Sequence, residues 1–126
     1  MDRVRAQPVL AISADWRTRA LLAAQVGETT GLEVVPALGA NEALTLTRLV
    51  GLEPALLIVD AGQQLARAEV EQLMDALPDV PVVLIVSALA RAAWEPLRSR
   101  CAAFLVRPVS IGRIAGAAAQ ALQGRR

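Results

Sequence analysis

Five short apolar runs recur along the chain, and each is followed by a segment of helical period. They are Val9-Leu-Ala-Ile12, Leu32-Glu-Val-Val35, Ala55-Leu-Leu-Ile-Val59, Val82-Val-Leu-Ile-Val86 and Ala103-Phe-Leu-Val106. Gly31 and Pro36 bound the second, Asp60 ends the third, Ser87 ends the fourth, and Arg107-Pro108 stops the fifth. The third and fourth are apolar throughout, as strands covered on both faces are. Between them, Val70, Leu73, Met74 and Leu77 form a helical stripe that Pro78 ends. Ile111, Ile114, Ala115, Ala118 and Leu122 form another, with Ser110 as N-cap and Gly124 as stop. Ala40, Ala43, Leu44 and Thr47 form a weaker stripe that Asn41 could cap. Asp15 could cap a first helix running through Leu21, Leu22 and Val26. Pro96 predicts one short, broken helix within 91–100, because proline removes a backbone donor and clashes with the preceding turn.

Alternation of this kind predicts an α/β fold: one doubly wound, flavodoxin-like, five-stranded parallel sheet. The expected strand order is 2-1-3-4-5, with helices on both faces. The 126 residues suit a single domain over 1–126, its core at about 8–123 and its ends short basic tails carrying Arg3, Arg5, Arg125 and Arg126. In such sheets function gathers at the carboxyl ends of the strands. Here those ends hold Ser13-Ala14-Asp15, Asp60, Ser87 and Arg107-Pro108.

Composition removes several chemistries. All 13 basic residues are Arg; the chain has no Lys, no His and no Tyr. Triads with His, His metal ligands, Schiff bases and Walker-type phosphate loops are therefore excluded. One Cys excludes an internal disulfide and a Cys-cluster metal site. A net charge of +1 gives no field for nucleic acid, so no direct nucleic-acid partner is expected. The apolar runs fall well short of the ~20 residues that cross a bilayer, and the first residues carry no secretory pattern. A cytoplasmic protein with no membrane partner is the default expectation.

The strand-end residues resemble those of the receiver domains of bacterial two-component response regulators, from about Val9 to about Leu122. The resemblance implies that Asp60 stands at the phosphoacceptor position. Ser87 and Arg107 stand at the phosphate-binding positions, Arg107 in place of the family's Lys. Phe104 stands at the switch position. Pro108 matches the proline that follows the family's Lys, usually after a cis bond.

The departures from that pattern concern the chemistry. The family holds Mg²⁺ with two adjacent acids after the first strand, where this chain has Ser13 and Ala14, with Asp15 one step further on. Mg²⁺ takes oxygen ligands in strict octahedral geometry, usually including one or two carboxylates. Asp60 alone is expected to bind it poorly, so no cofactor and no metal site is expected. Arg107 is a planar fork where Lys is a point charge, and a bidentate pair with Asp60 would hold that carboxylate neutralised. The loop after Asp60 lacks the family's Met-Pro, and the segment around Pro96 replaces its mobile fourth helix.

Plainer readings stand beside these. Asp60 could satisfy turn amides, Asp15 could be only a cap, and Ser87 could bond only to backbone. Arg107 could point outward, and Phe104 could be simple core. Cys101 reads as a small hydrophobe or an inert thiol. Trp16 and Trp94 lie outside the strongest stripes and could anchor a partner or cover a sheet edge. The expected function is a non-enzymatic, receiver-like signalling module acting through protein contacts with a histidine kinase or an output domain. A homodimer could form through the fourth helix, fifth strand and fifth helix. The alternative is an atypical but active receiver phosphorylated on Asp60 by a histidine kinase. A small ligand-binding or enzymatic α/β domain is a third reading, against which stands the missing Gly-rich dinucleotide loop.

Overall fold

The computed structural model describes residues 7–62 and 65–124. The basic tails and Gln63-Gln64 lie outside the described residues. The elements run β1 (Val9–Ile12), α1 (Trp16–Thr30), β2 (Val34–Ala37), α2 (Ala40–Arg48), β3 (Leu56–Ala61), α3 (Arg67–Ala76), β4 (Val82–Val86), α4 (Arg91–Trp94), a 3₁₀ turn (Glu95–Arg100), β5 (Ala103–Val106) and α5 (Ile111–Gln123). The strands form one sheet in the order β2-β1-β3-β4-β5, every neighbouring pair parallel. This is the expected doubly wound topology.

The strand period of two divides the core into two layers. Leu10, Ile12, Leu57, Val59, Leu84 and Val86 face one cluster, with Val70, Leu73 and Met74 of α3 and Ala43 and Leu44 of α2. Val9, Ala11, Leu56, Ile58, Val83 and Ile85 face the other, with Leu22 and Val26 of α1 and Ile114, Ala115 and Ala118 of α5. β1, β3 and β4 are buried along their whole length, which explains their unbroken apolar sequence.

Caps place the helices. Asp15 accepts from the Arg17 N–H, and Ser110 accepts from the Arg113 N–H, so both expected N-caps are present. Gly31 closes α1 at φ 74°, a left-handed conformation that glycine adopts without a Cβ clash.

Three expectations need correction. β2 lies at Val34–Ala37 and includes Pro36, not Leu32–Val35. It is an edge strand, where a missing N–H costs no ladder bond. Gly39, not Asn41, is the N-cap of α2; Glu42 reaches back to the Leu38 N–H at 2.6 Å. α1 runs through Leu21, Leu22 and Val26 as expected, with Leu21 exposed and the other two buried. Trp94 is core, with Leu97, because the broken helix at 91–100 turns it inward. Arg67 donates to the Ala93 carbonyl at 2.8 Å and Arg100 pairs with Asp75 at 2.7 Å, so α3 holds this segment at two points.

Cys101 is half-buried and its thiol donates to the Leu97 carbonyl at 3.2 Å. Burial pushes the thiol up to about 11, against a small opposing effect of Arg100. Iodoacetamide near pH ~8 is expected to alkylate it roughly tenfold or more slowly in the folded chain than in urea, since only the thiolate reacts. Equal rates would show that the thiol is not shielded.

Candidate functional site at the carboxyl ends of the strands

β1 and β3 run side by side, so their carboxyl ends bring Ser13 and Asp60 together. Asp60 is still within β3, in register with Ile85 of β4, rather than in the turn after it. Its side chain is 9% exposed. A carboxylate that deep needs donors, because burying an unpaired charge costs several kcal/mol or more. It has two. The fully buried Ser13 hydroxyl donates to Asp60 Oδ2 at 2.8 Å, and Arg107 Nη2 donates to Oδ1 at 2.8 Å. Arg107 meets Asp60 through one nitrogen and is itself partly exposed, so the contact is a single ion pair and not the bidentate fork.

Arg107 is placed by its own backbone. Its N–H donates to the Val86 carbonyl at 2.8 Å, which carries the end of β5 along β4. The Arg107–Pro108 peptide is cis. Ser13 is placed the same way, its N–H donating to the Ala37 carbonyl at 3.0 Å. Arg19 adds a contact the sequence did not advertise: Nη1 donates to the Ser13 carbonyl at 2.6 Å. The side chain crosses one turn of α1 to hold the residue that holds Asp60. An Arg one turn beyond the capped helix start was the available signal.

Asp15 touches this cluster through its backbone, its N–H donating to the Ser13 hydroxyl at 3.2 Å, and no candidate side chain other than Ser13 and Arg107 hydrogen-bonds to Asp60 among the described residues. Asp15 is exposed, and both its oxygens serve α1, accepting from the Arg17 N–H at 3.2 Å and the Thr18 hydroxyl at 2.9 Å. Those bonds, the Thr18 hydroxyl first, lower its carboxyl below the ordinary 3.8. Ala14 is exposed and presents only a methyl group. Ser87 follows β4, but its hydroxyl accepts from the Ala90 N–H at 3.1 Å and closes the next turn. Among the described residues no hydrogen bond joins it to Asp60. Phe104 is half-buried against the α3-side core, and the Arg98 guanidinium lies 4.8 Å from its ring centre.

The chain matches no protein-family model and no curated protein. Its likeness is to solved structures. NtrX from Brucella abortus, solved with ATP, superposes with a TM-score of 0.76 at 23% identity, over 96% of this chain and 28% of that one. The chain thus spans about a quarter of that protein. A response regulator receiver domain protein from Clostridium thermocellum gives 0.76 at 16% identity, covering 95% of this chain and 97% of that one. A structure described as adenylate cyclase from Rhodopirellula baltica gives 0.80 at 13% identity, over 94% and 89%.

The resemblance would place a Mg²⁺ ion beside Asp60, and Asp60 is the one carboxylate in the cluster with Ser13 and Arg107. Both Asp60 oxygens already accept from protein donors. The neighbouring positions offer a hydroxyl and a methyl, where the ion takes carboxylates. The Arg107 cation, 2.8 Å from Asp60, opposes a divalent ion at close range. Five parallel strands in the order 2-1-3-4-5, with Asp60 at the end of β3 and a cis proline after β5, give this chain the fold of response regulator receiver domains.

Proposed function

We propose that the chain is a receiver-like signalling module that works without Mg²⁺-dependent phosphorylation. One observation carries the reading: the carboxylate at the acceptor position is held on both oxygens, by Ser13 and by Arg107. In a phosphorylatable site that carboxylate must be free to attack phosphorus, with a cation to neutralise the transferred group. Here a fixed guanidinium already supplies the positive charge. The module is then a non-enzymatic, cytoplasmic protein without cofactor. It acts through contact with a histidine kinase or an output domain, or with a second copy, on the face formed by α4, β5 and α5. The competing reading, an active receiver, draws on the proximity of Arg107 to Asp60, since the same cation could bind a phosphoryl group.

Calorimetric titration of the metal-free chain with MgCl₂ tests the proposal. No saturable heat is expected at ~1 mM and below. Saturable binding lost in Asp60→Asn would contradict it.

A further inference from the structure

β5 ends the sheet, so one side of its backbone has no strand partner. The Arg107 N–H donates to Val86 of β4, and with Val86 in register with Val106 the parallel alternation turns the backbone groups of Phe104 and Val106 outward. Beside that edge lies a groove of about 440 Å³ between β5 and α5, lined by Ala103, Leu105, Arg113, Gly116, Ala117 and Gln120. It exists because α5 presents small side chains there. A Cβ built on Gly116 meets nothing within 4 Å. The one charge in the lining is Arg113, which forms no ion pair among the described residues. It stands in the first turn of α5, where the helix dipole adds positive potential.

We propose that this edge binds an extended acidic peptide segment of a partner protein, which adds a sixth strand to β5 and sets a carboxylate against Arg113. Only an extended chain matches a row of outward N–H and C=O groups, and alternate side chains then fall into the groove. The charge selects the partner. A second copy of β5 would bring Ala-Phe-Leu-Val between Arg100 and Arg107, with no acid to meet Arg113. The proposal rests on the reading that the chain acts through protein contacts, and not on the state of Asp60. The Mg²⁺ titration can therefore fail while this surface stands, and the reverse.

The test uses the full chain and a fluorescein-labelled peptide, Thr-Val-Thr-Val-Glu with a free carboxyl end, read by fluorescence polarisation. Main-chain pairing makes the site tolerant of sequence, so a generic strand peptide is a fair probe. Saturable binding is expected with Kd in the range of about 10–500 μM. A Gln-ended, amidated peptide should bind about tenfold more weakly, and one with a central Pro not at all. Gly116→Leu fills the groove and replaces a helix-interior glycine, so its thermal midpoint should hold or rise while peptide binding is lost. Arg113→Gln should erase the preference for the acidic peptide. No saturable binding up to ~1 mM, or binding that survives Gly116→Leu, would overturn the proposal. So would self-association that Gly116→Leu abolishes, which would give the edge to a second copy.

Discussion

Ile58→Ala is expected to lower the free energy of unfolding by about 2–5 kcal/mol, the range for truncating a fully buried branched side chain. Ile58 lies in the middle of β3, with Ala11 of β1 on one side and Val83 of β4 on the other. It is fully buried in the cluster that α1 and α5 cover. Close packing on both sides leaves little room for collapse into the cavity, so the cost should fall in the upper part of the range. Single domains are stable by about 5–15 kcal/mol, so this one change removes a large fraction. A urea titration with an unchanged m-value would measure it. Leu89→Ala is the control. Leu89 is fully exposed at 101%, and the change should stay within about 0.5 kcal/mol. Comparable losses in the two variants would contradict the assigned core.

The second large effect is at the Asp60 cluster. Arg107→Ala leaves a nearly buried carboxylate with one oxygen unpaired, which costs about 1–3 kcal/mol. The figure is held below that for a fully buried pair because the Arg107 side chain is 38% exposed and water screens it. In the Asp60→Asn background the same substitution should cost much less. The double-mutant cycle should give a coupling of about 1–2 kcal/mol. Coupling below ~0.5 kcal/mol would mean that the ion pair does not hold the carboxylate. Ser13→Ala should also destabilise, through the lost hydroxyl at Oδ2.

What was legible in the sequence follows from how locally each feature is determined. β1, β4 and β5 stand at the residues the apolar runs marked, and strands covered on both faces need no tertiary information to recognise. Ser110 and Asp15 cap their helices as their side-chain chemistry allows. β2 was displaced because Pro36 reads as a terminator until its strand is known to be an edge, and edge status is a property of the sheet. The burial of Trp94 is hidden for a related reason: a helix of four residues has no stripe, and only the 3₁₀ turn after it shows which way the ring points. At the site, Asp60 and Arg107 were brought together by the expected topology. Ser13 was read for what it lacks as a metal ligand, and the structure gives its hydroxyl a bond to Asp60. Ser87 carried two readings in the sequence, and its hydrogen bond within the described residues is to backbone. Arg19 was legible only as a charge, since its carbonyl acceptor lies across a helix turn.

The most direct measurement of the central claim is covalent. The full chain is incubated with a small-molecule phosphodonor and Mg²⁺, and intact mass is read before the acyl phosphate can hydrolyse. With Asp60 held by Ser13 and Arg107, the expected spectrum is that of the unmodified chain. A phosphoryl adduct that maps to Asp60 and is absent in Asp60→Asn would contradict the metal-free, phosphorylation-independent reading.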